Sequence, residues 1–175
     1  MEKQISSKIV FECPIFKVEE AQVKLNTGKI EKRWYVIKPD AVGVVAIDNK
    51  DNILLTREYR SAAQKTVWRI PGGGMKGKET PEETAIRELR EETGYSARKL
   101  TLILTKGPRS AWIKQNSYFF LAKELFPDPL KDEETEFIKV IPMSKKQVEN
   151  LVKRGEVNGD ILEALTKALE TVNSR

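Results

Sequence analysis

The chain has 175 residues and a formal net charge of +5, from 31 basic and 26 acidic side chains, and it contains no histidine. The absence of histidine excludes histidine general bases, Ser–His–Asp triads and histidine metal sites, so acid–base chemistry falls to carboxylates, Lys, Tyr or water. The single cysteine, Cys13, excludes an internal disulfide framework. The length predicts one domain over residues 1–175, and the dispersed positive charge suits a phosphorylated small molecule better than nucleic acid. With no leader-like N-terminus and no apolar run of about 18 residues, we expect a cytoplasmic protein without a membrane partner.

The first forty residues predict a small antiparallel β-structure. Pro14 separates its first two strands, and the Asn-Thr-Gly-Lys sequence supplies a hairpin turn before the return strand. The predicted strands and turn lie at 8–12, 15–25, 26–29 and 30–37. A hairpin of this size is not stable alone, so we expect residues 1–38 to pack on the main body or on a second subunit.

From residue 41 onward strands surround and follow helices, which indicates α/β layers around a mixed sheet. The run from Ala41 to Ile47 is apolar throughout, as expected for a central strand buried on both faces. Gly155 ends the second helix, and Asn158 or Asp160 is expected to cap the third. Further strands are predicted at 53–59, 99–105, 117–123 and 137–141, helices at 81–93, 144–153 and up to about 172, and loops at 106–116 and 126–136.

The helix over 81–93 has local signals at both ends. Thr80 supplies a hydroxyl cap, Pro81 occupies the first helical position, and Glu83 completes a capping box. Gly94 is a natural stop. Ala85 and Leu89 share one side of this helix, which predicts that this side faces a core.

Three carboxylates share a neighbouring side of the same helix, because Glu88, Glu91 and Glu92 are spaced i, i+3 and i+4. Like charges at this spacing destabilise a helix by roughly 0.2–0.5 kcal/mol per pair. A solvated face tolerates that cost. A site for Mg²⁺ removes it, because this hard cation takes oxygen ligands and neutralises the repulsion.

The offsets around these glutamates form a longer pattern. It reads Gly73, five residues, Glu79, seven residues, and then Arg-Glu-Leu-x-Glu-Glu-x-Gly-Tyr ending at Tyr95. This complete pattern resembles the Nudix box. The metal interpretation of the glutamates is therefore favoured over the solvated face.

The resemblance extends beyond the box, to the ADP-ribose and nucleoside-diphosphate-sugar pyrophosphatase branch of the family. It is carried by Val44 to Arg60, which ends Glu-Tyr-Arg, by Trp68-Arg-Ile-Pro-Gly-Gly73, and more loosely by the tail from Leu151 to Leu165. It implies a Nudix αβα sandwich with a central mixed β-sheet and an N-terminal β-hairpin extension. It also implies a homodimer formed through the N-terminal strands.

By position, the resemblance assigns a metal-binding set and its support. Glu88 and Glu92 are the main Mg²⁺ ligands that it implies, with Glu91 close by, the Gly72 carbonyl completing the set, and Mn²⁺ as a substitute metal. Arg87 orients the glutamates and has Glu91 as its i+4 neighbour; the simpler interpretation is a helix-surface ion pair. Glu79 is expected to support the loop rather than to bind metal.

The catalytic base and the substrate contacts lie outside the box. With no histidine, the base is expected to be a carboxylate of a mobile loop. The resemblance implies a base in the acidic loop, where the candidates are Asp132, Glu133, Glu134 and Glu136 and the fit to the family loop favours Glu134, then Glu136; a disordered acidic loop is the alternative. The substrate contacts that the resemblance implies are Trp34, Arg57, Arg60, Arg109 and Trp112, with Trp34 stacking on the base. Trp34 is equally compatible with a core or dimer-interface position, and Arg60 with an exposed strand end.

The implied reaction is Mg²⁺-dependent hydrolysis of the pyrophosphate bond of a nucleoside diphosphate sugar, such as ADP-ribose or GDP-mannose. Two alternatives stay open, namely a house-cleaning (d)NTP pyrophosphatase and a non-catalytic module that senses ADP-ribose or binds nucleic acid. The sequence departs from the ADP-ribose branch at Arg69, where that branch has glutamate, and around Pro108 and Arg109. These departures leave the metal chemistry intact and put ADP-ribose itself in question.

Overall fold

The computed structural model describes residues 1–130, 139–157 and 159–173, and it contains two compact units. One unit is formed by Met1–Asp40 with Lys106–Asn116, and the other by Ala41–Thr105 with Ser117–Arg175. The expectation of one domain over residues 1–175 therefore stays a prediction.

The first unit is a four-stranded sheet in the order β1-β2-β3-β8. Its strands are β1 Lys3–Cys13, β2 Phe16–Lys24, β3 Ile30–Ile37 and β8 Ile113–Lys114. The three predicted N-terminal strands are confirmed, but β1 begins five residues earlier than the apolar pattern indicated. Its polar start is held by pairing with β2, from Lys3 opposite Lys24 to Cys13 opposite Phe16.

The second unit is built on a mixed six-stranded sheet. Its order is β10-β5-β4-β9-β7, with β6 paired to β5 outside that path. Strand β4 runs parallel to β9 and antiparallel to β5. The strands are β4 Ala41–Ile47, β5 Ile53–Arg60, β6 Lys65–Arg69, β7 Tyr95–Lys106, β9 Ser117–Pro127 and β10 Lys139–Met143.

Helices cover both faces of this sheet, α1 (Pro81–Thr93) on one and α2 (Lys145–Lys153) with α3 (Gly159–Asn173) on the other. The alternation of β4 produces this division, because successive side chains of a strand point to opposite faces. Val44 packs with Leu89 of α1, whereas Val45 packs in the cluster that contains Val148, Leu165 and their neighbours. The αβα sandwich around a mixed sheet is thereby confirmed.

Some strand and helix boundaries differ from the sequence predictions, because strand pairing and helix capping there depend on more than the neighbouring sequence. Strand β6 lies where no strand was predicted, and β8 lies in the stretch 106–116 that was predicted as a loop. Helix α3 begins at Gly159, so Asp160 lies in its first turn and the prediction of Asp160 as the cap is wrong. Asn158, the other predicted cap, lies outside the described residues. None of the described helices is long and apolar enough to cross a membrane.

Candidate metal centre and substrate site

Helix α1 is held at both ends by the groups that the sequence predicted. The Thr80 hydroxyl accepts the Glu83 N–H at 3.2 Å, and the Glu83 carboxylate accepts the Thr80 N–H at 2.8 Å. Gly94 ends the helix with φ +73°, a left-handed conformation that glycine adopts without strain. These ends fix which 13 residues form the helix and hence where its carboxylates lie.

The carboxylate side of α1 is not a solvated face. Ala85 and Leu89 are fully buried against the sheet, and Glu88, one position away, is only 7% exposed. Burial raises the pKa of the Glu88 carboxyl above its ordinary value, although Arg87 opposes that shift. A charged group so placed requires a compensating partner.

Arg87 supplies part of that compensation and ties the site together. Its Nη1 donates to Glu88 at 2.7 Å and to Glu91 at 2.9 Å. Its Nε and Nη2 donate to the two oxygens of Glu79 at 2.8 and 2.9 Å, and Nη2 also reaches the Gly74 carbonyl at 3.0 Å. These partners raise the pKa of Arg87, so the guanidinium is a fixed positive charge.

Glu79 supports the turn before the helix. Besides Arg87, it accepts the Lys76 N–H at 3.0 Å and the Thr84 hydroxyl at 2.9 Å. The Arg87 contact is the largest cause that lowers the pKa of Glu79 to about 2. All its observed partners lie in the loop and the first turns of α1, which is the geometry of a loop support.

The glycines before the helix allow the backbone to approach the carboxylates closely. Gly72 has φ +155°, and a Cβ there would lie 2.3 Å from the Val42 carbonyl oxygen. A Cβ on Gly73 would lie 2.5 Å from a Glu88 oxygen. Any side chain at these two positions would collide with the sheet or with a predicted metal ligand.

Glu92 is the most strongly perturbed carboxyl of the site. Its pKa is raised to about 8, mainly by burial and then by the charge of Glu88, with a smaller contribution from Glu58. The Gly72 N–H, 3.3 Å from Glu92 Oε2, and the charge of Arg69 oppose this rise. The buried carboxyl of Glu88 and the partly buried carboxyl of Glu92 therefore resist ionisation unless a cation joins them.

The donor set fits a hard divalent cation, although the carboxylates are engaged with protein groups in this structure. Among residues 1–130, 139–157 and 159–173, no group of three or more His, Cys, Asp or Glu side chains is arranged to hold a metal ion. Arg87 lies between Glu88 and Glu91, and Glu92 faces the Gly72 N–H. The carboxylate oxygens suit a hard divalent cation, and a cation there would offset the cost of ionising Glu88 and Glu92, whose pKa values are raised.

Two of the predicted substrate contacts lie on β5. Arg60 donates from Nε and Nη2 to one oxygen of Glu58, at 2.9 and 2.6 Å. The Arg57 guanidinium lies 5.2 Å from the centre of the Trp68 ring. The Arg60 side chain is half-exposed, so it forms an ion pair with Glu58 and also reaches solvent.

The other three predicted contacts belong to the first unit. Trp34 on β3 is 53% exposed and Trp112 is 62% exposed, so neither ring is part of a core in this chain. The Trp112 carbonyl accepts the Val36 N–H at 2.7 Å, which holds the segment that contains Arg109 and Trp112 on β3. The predicted bases Glu134 and Glu136 lie outside the described residues.

Sequence reasoning singled out Arg69 as a departure from the ADP-ribose branch but missed its partner, Glu58. Glu58 is 8% exposed and contacts Arg69 Nε at 3.4 Å in addition to Arg60. The sequence signal that could have revealed Glu58 is the alternation of side chains along β5. Every second side chain of a strand points to the same face, so Glu58 lies on the face of the fully buried Thr56. A carboxylate at an inward position of a strand next to two arginines indicates a built ion cluster.

Known proteins resemble this chain in sequence and in architecture. A family profile described as NUDIX domain matches residues 37–165. The chain is 34% identical to the ADP-ribose pyrophosphatase of Bacillus subtilis (strain 168) and 28% identical to the methanol dehydrogenase activator of Bacillus methanolicus, each over 89% of this chain and 85% of the relative. A crystal structure of an ADP compounds hydrolase superposes with a TM-score of 0.85 at 22% identity, covering 99% of this chain and 95% of that one.

The fold, the helix of carboxylates and the matched profile define one class of protein, the hydrolases built on the Nudix fold. This chain belongs to the Nudix family.

Proposed function

We propose that this protein hydrolyses the pyrophosphate bond of nucleoside diphosphate sugars in a Mg²⁺-dependent reaction, with ADP-ribose as the leading substrate and GDP-mannose as a further candidate. The observation that carries the proposal is the pair of carboxyls formed by buried Glu88 and partly buried Glu92, on a helix next to a glycine loop that admits close backbone approach. The similarity to an ADP-ribose pyrophosphatase over most of the chain supports the choice of substrate.

In this proposal Glu88, Glu91 and Glu92, with the Gly72 carbonyl, hold Mg²⁺, and Mn²⁺ can substitute. A divalent metal held there would neutralise charge at the pyrophosphate and lower the pKa of the attacking water. Arg87 keeps Glu88 and Glu91 aligned through its bonds of 2.7 and 2.9 Å. Glu79 holds Arg87 from the other side and so positions the loop.

The water oxygen forms a bond to one phosphorus, and the bridging P–O bond breaks. For ADP-ribose the products are AMP and ribose 5-phosphate. We propose that Glu134, or failing that Glu136, accepts the proton from the attacking water, since the chain has no histidine to do so. Arg57, Arg60, Arg109, Trp34 and Trp112 are proposed to contact the substrate.

We also propose that the protein acts as a homodimer formed through residues 1–38. Large apolar side chains are exposed on the first unit, which supports an interface there. They include Ile9 at 47%, Phe11 at 52% and Ile15 at 68% exposure.

A product assay on a panel of substrates tests the proposed function. The panel contains ADP-ribose, GDP-mannose, other nucleoside diphosphate sugars, diadenosine polyphosphates and dNTPs, each with Mg²⁺. We expect AMP and ribose 5-phosphate from ADP-ribose at a rate above that of any dNTP. Cleavage of the triphosphates alone would identify a triphosphate pyrophosphatase instead, and binding without cleavage would identify a sensing module.

A further inference from the structure

Lys76 belongs to the tight turn between the glycines and helix α1. Its N–H donates to Glu79 Oε2 at 3.0 Å, and its carbonyl accepts the Glu79 N–H at 3.1 Å. Gly77, next in the chain, has φ +58°, a left-handed conformation that suits glycine. Because Glu79 is itself bound to Arg87, the backbone of Lys76 is fixed relative to the carboxylate side of α1.

The Lys76 side chain reaches from this turn to the helix. Its ammonium lies 3.4 Å from Glu91 Oε1, while Arg87 Nη1 donates to the other oxygen, Oε2, at 2.9 Å. The positive charge of Lys76 also acts on Glu88, where it opposes the rise of the pKa. Two cations therefore serve the same carboxylates, one at each oxygen of Glu91.

These two cations differ in what they can still bind. The Arg87 side chain is 15% exposed, and its five N–H groups make five hydrogen bonds to acceptors of the loop and the helix. The Lys76 side chain is 64% exposed, and in the described part of the chain Glu91 is the one acceptor of its ammonium. Since an ammonium has three N–H donors, Lys76 keeps donors for a ligand.

The contact between Lys76 and Glu91 is one that a divalent cation would replace. At 3.4 Å it is longer than a usual N–H···O bond, and the ion pair of an exposed lysine contributes little to stability. The ammonium would yield the Glu91 oxygen to a cation with twice its charge. It would then stay within the reach of its own side chain from an anion held at that cation.

We propose that Lys76 is a substrate-binding residue whose ammonium binds a phosphate oxygen of the pyrophosphate at the metal centre. Lysine suits this role because its ammonium is a compact charge that binds phosphate oxygens from several directions. The inference rests on the proposed function, because it takes Glu91 as a metal ligand and the pyrophosphate as the group held there. It assigns to Lys76 the phosphates of the substrate, and neither its base nor its sugar.

Lys78 provides a matched control for Lys76. It has the same charge and lies exposed two residues away in the same turn. Among the described residues, however, Glu91 is contacted by Lys76 and Arg87 and not by Lys78. The variants are Lys76→Gln, Lys76→Arg and Lys78→Gln. Both glutamine variants remove one positive charge, so they share any general change in the electrostatic field of the protein.

Binding is measured by calorimetry with two probes. Mg²⁺ alone reports on the metal centre. Methylenediphosphonate, a pyrophosphate analogue whose P–C–P link is not hydrolysed, reports on the phosphate contact at saturating Mg²⁺.

We expect Lys76→Gln to weaken methylenediphosphonate binding about tenfold, since a hydrogen bond to a charged group contributes about that factor. The same variant should bind Mg²⁺ at least as tightly as the wild type, because it lacks the ammonium that competes for Glu91. Lys76→Arg should retain most of the affinity for methylenediphosphonate, and Lys78→Gln should stay within about twofold of the wild type.

Two results would overturn the inference. One is a loss of methylenediphosphonate affinity in Lys76→Gln that exceeds the loss in Lys78→Gln by less than about threefold. The other is a parallel loss of Mg²⁺ affinity in Lys76→Gln, which would show that Lys76 only supports the metal ligands.

Hydrolysis separates the inference from the proposed function. With ADP-ribose and Mg²⁺ we expect Lys76→Gln to raise KM rather than to lower kcat, and Lys78→Gln to keep both values. If the wild type hydrolyses no nucleoside diphosphate sugar, the proposed function fails and the binding comparison alone decides the inference. If the wild type hydrolyses ADP-ribose while both glutamine variants bind methylenediphosphonate equally, the inference fails and the proposed function stands.

Discussion

Arg87 shows how one side chain organises a site of many negative charges. It donates hydrogen bonds to Glu79, Glu88 and Glu91 and to the Gly74 carbonyl. A lysine could not reproduce this geometry, because only the guanidinium presents planar donors in several directions. The i+4 contact was readable from the sequence, but the contact with Glu79 depends on how the loop returns to the helix.

The perturbed carboxyl of Glu92 gives a pH dependence whose sign follows from its pKa. The pKa is raised from 4.5 to about 8, so the folded protein holds this proton more tightly than the unfolded chain does. Without metal, the free energy of unfolding of the wild type therefore falls as pH rises through this range. Glu92→Gln removes this fall because the amide does not ionise.

We predict that Glu92→Gln raises the unfolding midpoint of the metal-free protein relative to wild type above pH 8, and does so far less below pH 4.5. Calorimetry across this range measures the difference. Glu82→Gln, an exposed carboxylate of the same helix, is the control and should show no such trend. An equal difference at both ends of the range would contradict the raised pKa of Glu92.

At the scale of elements, strand β8 directly follows the segment that contains the predicted substrate contacts Arg109 and Trp112. Few hydrogen bonds hold it to β3. The Val36 N–H donates a backbone hydrogen bond to the Trp112 carbonyl at 2.7 Å, and the Lys38 N–H donates one to the Lys114 carbonyl at 3.1 Å. The Lys114 ammonium pairs with Glu19, which is 8% exposed, and lies 4.4 Å from the centre of the Tyr35 ring. This pair is the largest cause that lowers the pKa of Glu19.

We predict that Lys114→Met loosens β8. The variant deprives the buried carboxylate of Glu19 of its charged partner and leaves it only the hydrogen bonds of Ser7 and Gln4. Such a loss costs about 1–3 kcal/mol, and each 1.4 kcal/mol is about tenfold in an equilibrium. Hydrogen exchange at the Val36 and Lys38 amides should therefore accelerate about tenfold. Lys29→Met, which removes an exposed pair with Glu31, serves as the control, and equal exchange in both variants would show that Glu19 does not hold the strand.

Elements with local signals were predictable and elements made by pairing were not. Helix α1 begins and ends where Thr80, Pro81 and Gly94 place it, because caps act within a few residues. Strand β6 has five residues and exists because it pairs with β5, and β8 has two and exists because it pairs with β3. Such strands carry no pattern of their own.

The residues of the candidate site likewise divide into those that could be predicted from the sequence and those that could not. The glutamates of α1 and their spacing were readable, since a helix converts sequence offsets into neighbours. The ion cluster of Glu58 was not, because it joins β5 to β6 across a hairpin whose second strand went unrecognised. Burial of Glu88 also arises from tertiary packing, because Gly73 lies directly against its carboxylate.

At the scale of the whole molecule, the proposed dimer makes a prediction about assembly. Phe11 is 52% exposed on β1, and a charge there would oppose the burial of an apolar interface. Sedimentation velocity should show the wild type as a dimer and Phe11→Asp as a monomer. Leu102→Asp, on β7 of the second unit and 48% exposed in the wild type, is the control and should stay dimeric. A monomeric wild type would contradict the proposal.

The central proposal is that Glu88 and Glu92 of α1, one buried and one partly buried, hold the metal for hydrolysis of ADP-ribose. It is tested most directly by the Mg²⁺-dependent release of AMP and ribose 5-phosphate by the wild type, Glu92→Gln and the exposed control Glu82→Gln. We predict that Glu92→Gln lowers kcat/KM by about a hundredfold, since loss of a preorganised electrostatic group commonly costs about 10²–10³ in rate. The control should keep the wild-type rate. Unchanged turnover in Glu92→Gln would contradict the account.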